Sequence, residues 1–332
     1  PILNDVKGGL KEDLMEQHNR VSAAPFLNND VTDKAEQSLY MFSVLKSDGV
    51  KETVSEKRLR QTIGWACIGY EPVVDPGLIL SETLKNIFDG ITPQGIADAL
   101  ILATTSFIEQ DPVYSKIAVQ LQLKKLFRQV THSSIARIDS EVAYRKSFVS
   151  TITTGIDLEL LDVRLAEFNL EYLAQHLVPE RDQLFDYMGI NTLYRRYFLK
   201  YEGRHIELAQ SFWMRVAMGL AFNEADKNKA AIEFYNVMSQ LHYVPGTPTL
   251  LHSGLTRPQL SSCFLSTVED DLHNIFKSYS DSAQLAKWSG GVAVDWSNIR
   301  ACGAMVGSIK TESQGVLPFL KINNDVVAAI NR

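Results

Sequence analysis

Three thiols, a run of hydroxyls and two isolated charges are the groups of this 332-residue chain with chemistry to offer. Cys263 stands in PQLSSCFLS (258–266), behind Ser261 and Ser262 and at the head of an apolar run. A thiol so placed is either a small filler of a buried strand or a nucleophilic and redox group. Upstream, VPGTPTLLHSGL sets Thr247, Thr249 and Ser253 beside Gly246 and Gly254. Loops of this composition offer hydroxyls and backbone N–H groups to a phosphate, or form ordinary turn clusters. Asp270 precedes a helical pattern, where a carboxylate caps the helix or accepts from a ligand. Arg300, in SNIRACG, carries the planar fork that grips a phosphate through two bonds, or lies solvated on the surface. Cys67 and Cys302 complete the thiols. Three cysteines are too few for a disulfide framework, and their spacing fits no zinc site.

The elements that must position these groups read as follows. Residues 1–40 are polar and read as a poorly packed extension. MFSVLKSDGVKETVS predicts a hairpin turning at Asp48-Gly49. Ser55 sits at the N-cap position of a first helix, EKRLRQTIGWACI. DPGLILSETLKNIFDGI predicts a second helix ending at Asp89-Gly90. TPQGIADALILATTSFIEQD predicts a third, with Thr92 as cap and Pro93 in the first turn. PVYSKIAVQLQLKKLFRQV predicts a fourth. Residues 131–170 join two units and contain helix, and 171–242 are helical again. Beyond 243 come a Pro/Gly/Thr-rich loop, a short buried strand (SSCFLS) and a helix capped by Asp270 or Asp271. A glycine-led strand (SGGVAVDWS) and a last helix, GVLPFLKINNDVVAAINR, follow. The order strand, helix, strand, loop, helix points to the opening of an α/β domain with parallel strands.

Composition sets outer bounds. Apolar residues make up 45% and charged residues 22%, which suits a globular protein. A net charge of −6 supplies no basic field toward nucleic acid or an anionic membrane. No apolar run reaches the roughly 18 residues that a membrane span needs. The stretch PILNDVKGGLKEDL has no basic region followed by an apolar block, so no secretory signal is expected, and a cytoplasmic location is. The chain begins without Met and stops just after an amphipathic pattern, which reads as a fragment, a processed form or half of a split protein.

Taken together and in order, GTPTLLHSGLTRPQLSSCFLS, DDLHNIF, SGGVAVDWSNIRACGAMVGSI and GVLPFLKINNDVV resemble the catalytic (α) subunit of class I ribonucleotide reductases. GINTLYRRYFL and FWMRVAMGLAF resemble that family's helical N-terminal region, and residues 41–130 resemble its ATP-cone. Only 1–40 fall outside the resemblance. The implied fold is mixed α and β: a polar extension (1–40), an ATP-cone of a small β-hairpin plus four helices (41–130), a helical N-terminal domain (131–242), and the start of a ten-stranded α/β barrel (243–332).

The resemblance also implies roles. Cys263 is one of a redox pair that reduces the substrate ribose, with Thr249 and Ser262 holding the substrate. Asp270, Leu272 and Arg300 bind the specificity effector, a deoxynucleoside triphosphate. Lys46, Glu52, Ser55, Arg58, Lys124 and Arg128 contact ATP or dATP in the cone. Ala97, Gln120 and Pro93 after Thr92 depart from the usual cone pattern and put its switching in doubt. The helices at 271–288 and 315–331 match those of an α-subunit dimer. Implied partners are the remaining C-terminal part of α, a second α chain, a β subunit that generates the radical on its own metal cofactor, and thioredoxin or glutaredoxin. No metal is expected in this chain, and neither nucleic acid nor membrane among its partners. The radical cysteine and the partner of Cys263 belong to sequence beyond Arg332 in the family, so reduction is not expected from this chain alone. Two other readings stay open: a stand-alone ATP/dATP sensor, and part of an adenosylcobalamin-dependent class II reductase.

Overall fold

The computed structural model describes residues 40–46, 49–70, 72–132, 140–288, 290–307 and 310–330. The predicted extension, apart from Tyr40, and Asp48 of the hairpin turn lie outside the described residues. The chain divides into two compact units, Pro1–Lys125 and Leu126–Arg332.

In the first unit, β1 (Met41–Leu45) pairs antiparallel with β2 (Lys51–Ser55), Met41 opposite Ser55 and Leu45 opposite Lys51. Period-two alternation puts Phe42, Val44 and Val54 inside. Gly49 takes a positive φ of 80° that favours glycine, and donates to the Lys46 carbonyl at 3.0 Å. Helix α1 (Glu56–Cys67) buries Leu59, Ile63, Ala66 and Cys67, one stripe at helical spacing. Helix α2 (Pro76–Leu84) starts on Asp75, which accepts from Gly77 N. It stops at Leu84, short of the predicted end at Asp89-Gly90. The reason is the open edge of β1. Asp89 Oδ1 accepts from Ser43 N at 2.8 Å, Gly90 N donates to Ser43 O, and Leu45 N donates to Ile91 O at 3.0 Å. Residues 89–91 thus satisfy edge groups of the strand that a longer helix would leave unpaired. Helix α3 (Pro93–Thr105) opens as its sequence predicts, Thr92 Oγ1 accepting from Gly95 N at 3.0 Å. Helix α4 (Val113–Thr131) completes the hairpin-plus-four-helix order.

The second unit is organised around one helix. After α5 (Ser140–Asp157), a 3-10 turn (Val163–Glu167), α6 (Leu170–Gln175) and a second 3-10 turn (Pro179–Leu184), α7 (Tyr187–Thr192) runs into a π-helical turn (Leu193–Tyr197). A tight hairpin, β3 (Lys200–Tyr201) with β4 (Arg204–His205), leads to α8 (Ala209–Leu220). Ten successive residues of α8, Ala209 to Met218, are buried, so it is enclosed on every side. It packs on α9 (Lys227–Ser239), α5 and the second 3-10 turn.

Its polar groups are accounted for. Gln210 Nε2 donates to Asp182 Oδ1 at 2.7 Å, Tyr144 OH donates to Asp182 Oδ2 at 2.9 Å, and Tyr235 OH donates to Gln210 Oε1 at 2.7 Å. Burial drives the Asp182 carboxyl up to about 7, although both hydrogen bonds to it favour the charged form. Arg215 and Glu207, both fully buried, pair at 2.7 Å. Arg215 Nη1 also donates to the Ser253 carbonyl at 2.6 Å.

Beyond α9, the predicted loop contains a short helix, α10 (Thr247–His252), seeded by Pro248 in its first turn and held by the burial of Pro248 and Leu250. Strand β5 (Cys263–Thr267) then pairs in parallel with β6 (Gly291–Asp295), the connection being α11 (Leu272–Ala286). A two-residue hairpin, β7 (Met305–Val306) and β8 (Thr311–Glu312), precedes α12 (Leu317–Ile330), which packs on α11. Val268, Ile275, Tyr279 and Ile299 form the local core, with Val294, Trp296, Val316 and Phe319 against it.

The expectation of a buried strand at SSCFLS is not met. Cys263, Ser266 and Thr267 are exposed, and Leu265 is 84% exposed. Parallel strands are normally covered on both faces, whereas α11 packs against β6 and leaves β5 open. Among the described residues no helix is long and apolar enough to cross a membrane.

Two stability measurements follow. The fold holds the Asp182 proton well above the ordinary carboxyl value of 3.8. Stability from this group is therefore full below about pH 4, falls as pH rises toward 7 and levels off above it. Urea midpoints across that range are expected to record a loss of roughly 4 kcal/mol that Asp182→Asn removes. Arg215→Met leaves Glu207 buried without its cation and is expected to cost about 3–5 kcal/mol, read by urea unfolding on the fluorescence of buried Trp213. A loss below about 1 kcal/mol contradicts the assignment of this pair as the clamp of the unit.

Candidate functional site

The hydroxyls and the thiol meet where α10 faces the start of β5. Gly246 lies against Ser262: a Cβ at Gly246 would stand 3.8 Å from Ser262 Cβ and 3.9 Å from its Oγ. On the other side, Gly291 N donates to the Ser262 carbonyl at 2.7 Å, and a Cβ at Gly291 would stand 4.0 Å from Cys263 Sγ. The glycines at 246 and 291 thus keep space open around Ser262 and Cys263. Cys263 is free and exposed at the first residue of β5.

Thr249 and Thr247 play different parts. The Thr249 hydroxyl donates to the Leu260 carbonyl at 3.1 Å and is half-buried, so it holds the approach to Ser262. Thr247 is exposed, its hydroxyl 2.9 Å from Tyr197 OH. His252 Nδ1, 2.9 Å from the Gln259 carbonyl, and Gln259 Oε1, accepting from Ser261 N, brace the same stretch. Tyr197 was not singled out by the sequence reading, because a π-helical insertion leaves no sign in a single sequence. The other hydroxyl of the cluster, Ser253, is fully buried and donates to the Val216 carbonyl, which makes it structural.

Asp270, Leu272 and Arg300 are brought together at the start of α11. Asp271 is the cap: its Oδ2 accepts from Asn274 N, while Asn274 Oδ1 accepts from Glu269 N. Asp270 is thereby left to receive Arg300 Nε at 2.7 Å, both side chains about a third exposed. Leu272 projects into solvent, 63% exposed. Phe276, Leu317 and Leu320 are further exposed apolar side chains of α11 and α12.

The hairpin of the first unit carries a second charged cluster. Glu52 takes Lys46 Nζ at 2.6 Å on one oxygen and Arg58 Nη1 at 3.3 Å on the other. The Lys46 hydrogen bond, then its charge, and then Arg58 hold the Glu52 carboxyl below the usual range. Lys124 sits over the Trp65 ring, 4.4 Å from its centroid. Trp65 is seven residues along α1 from Arg58, on the same helical face. Ser55 holds the N-cap position with no side-chain bond to the helix. Arg128 lies in the last turn of α4. Among the described residues no three His, Cys, Asp or Glu side chains come together as metal ligands.

Comparison with known proteins gives this arrangement a class. Residues 183–258 match the family "Ribonucleotide reductase, all-alpha domain", and residues 261–332 match "Ribonucleotide reductase, barrel domain". The chain therefore carries the all-alpha domain and a part of the barrel domain of ribonucleotide reductase large subunits. Among relatives, it is 40% identical over 292 residues to the ribonucleoside-diphosphate reductase subunit alpha of Chlamydia pneumoniae, covering 88% of this chain and 28% of that one. It is 35% identical over 294 residues to the subunit alpha of Helicobacter pylori, covering 88% and 36%. It is 30% identical over 296 residues to the large subunit of Danio rerio, covering 87% and 36%. The chain thus spans about a third of the length of these relatives. An alignment of 292 residues also reaches well upstream of residue 183, so the likeness takes in part of the first unit.

Exposure separates the thiols. With an Ellman-type reagent, Cys263 and Cys302 are expected to react in the native chain and the buried Cys67 only after unfolding. Fast reaction of all three, or of one alone, contradicts this placement.

Proposed function

We propose that this chain is the regulatory and substrate-facing N-terminal part of a class I ribonucleoside-diphosphate reductase large subunit. The exposed Cys263 thiol, beside Ser262 at a glycine-lined opening, is the observation that carries the reading. A nucleotide ribose is an alcohol that must lose its 2′-hydroxyl. The balance is two thiols and a C–OH giving a disulfide, a C–H bond and water. Cys263 supplies one thiol, and its partner comes from the rest of the subunit. Ser262 donates to the substrate, and Thr249 keeps the 260–262 stretch in place. The radical that opens the reaction comes from a separate β subunit with its own metal centre, and thioredoxin or glutaredoxin reduces the disulfide after turnover. A location in the reducing cytoplasm suits an open thiol.

Two nucleotide sites regulate this chemistry. Asp270, with Leu272 beside it, receives the ribose of a deoxynucleoside triphosphate, and Arg300 turns from Asp270 to the phosphates. The apolar faces of α11 and α12 are covered by the same helices of a second α chain. In the hairpin unit, ATP or dATP draws Lys46 and Arg58 away from Glu52, Ser55 lies at the base, and Lys124 and Arg128 extend the basic lining. The substrate-side residues favour an enzyme part over a pure sensor, since sensing alone has no use for Cys263.

The test uses the full-length subunit with its small subunit and a dithiol reductant. Cys263→Ser is expected to abolish dithiol-dependent turnover while calorimetric dATP binding stays within about twofold, because the substitution touches neither charged cluster. Turnover at the wild-type rate in that variant overturns the redox assignment.

A further inference from the structure

The one hydroxyl pair linking the π-helical turn to α10 has no role in the fold that packing accounts for. Tyr197 OH and Thr247 Oγ1 are 2.9 Å apart on the exposed side of the chain. The turn that presents Tyr197 is fixed from several directions. Phe198 N donates to the Leu193 carbonyl, and Phe198 itself is buried. Lys200 Nζ donates to the Arg195 carbonyl at 2.8 Å. His205 Nε2 lies 2.8 Å from the Tyr194 carbonyl, and the His205 ring stacks on Tyr194 with centroids 4.0 Å apart. Single π turns inside helices shift the following side chains out of helical register and concentrate at functional sites. Here the shift brings a phenol to the first residue of α10, one residue from Gly246 and so next to Ser262.

A phenolic hydroxyl is a stronger donor than an aliphatic one, so Tyr197 donates and Thr247 accepts. The Thr247 hydroxyl proton is then directed away from Tyr197, toward the opening shared with Ser262 and Cys263. We propose that Tyr197 is a positioning residue that orients the Thr247 hydroxyl as a hydrogen-bond donor to an oxygen of a bound nucleoside diphosphate. Tyr197 acts through Thr247 and does not touch the reacting atoms. This rests on the substrate site proposed above.

Steady-state kinetics of the full-length subunit, with its small subunit and a dithiol reductant, test it on a ribonucleoside diphosphate. Tyr197→Phe keeps the ring and removes one neutral hydrogen bond, so KM is expected to rise about 3- to 10-fold with kcat changed less than about twofold. Thr247→Val is expected to match it, Thr247→Ser to retain near-wild-type KM, and the Tyr197→Phe/Thr247→Val pair to be no worse than Thr247→Val alone. An unchanged KM in Tyr197→Phe overturns the inference, with or without a fall in melting temperature. Additive losses in the double variant overturn it too. Absence of turnover in the wild-type assembly, by contrast, sinks the reductase reading itself and this inference with it.

Discussion

The buried pair between Arg215 and Glu207 is the constraint on which the second unit depends. Two fully buried charges are tolerable only when nearly every donor and acceptor is used. Arg215 spends Nε and Nη2 on Glu207 and Nη1 on the Ser253 carbonyl, and Glu207 Oε2 accepts in addition from Leu199 N. One ion pair therefore ties three separated stretches: the chain after the π turn, the central helix α8, and residues 253–255. Backbone contact tightens the last tie. A Cβ at Gly219 would fall 2.3 Å from Gly254 N, so only glycine lets α8 approach this closely. Gly254, at a φ of 80°, then hands its carbonyl to Asp162 N. Helix α10 enters this clamp from one side and the 256–262 stretch leaves it from the other. The hydroxyls of α10 and the thiol of β5 are thus hung from a single rigid point.

That dependence explains what could and could not be read in the sequence. Local signals were legible wherever a short-range bond decides the structure. Thr92 and Pro93 begin α3 because a hydroxyl and a pre-set φ act within three residues. The hairpin was legible because alternation and a turn glycine agree. Longer-range choices were not legible. Helix α2 ends early because Ser43, 46 residues before Asp89, needs a partner. Asp271, not Asp270, caps α11, and what settles Asp270 is an arginine 30 residues away. The apolar run after Cys263 suggested a covered strand, but cover is a property of neighbours. The thiol itself was ambiguous by composition and gained meaning only from the order of motifs around it.

The two charged clusters share a logic. In each, a carboxylate already holds the cations that a phosphate would seek: Asp270 holds Arg300, and Glu52 holds Lys46 and Arg58. These pairs are partly exposed, so water and salt screen them and each is worth little to stability. A polyanion can displace such a carboxylate at small cost, whereas the buried Arg215–Glu207 pair could not exchange partners without leaving a charge stranded in the core. The chain therefore separates its ion pairs by depth. The deep one fixes geometry and the shallow ones stay exchangeable. On the regulatory reading, that difference lets nucleotides come and go at both clusters without loosening the clamp that sets Ser262 and Cys263 in place. An effector would then act through the elements that carry its own cluster, β2 and α1 in one case and the start of α11 in the other, and α11 connects directly to the strand that begins with Cys263.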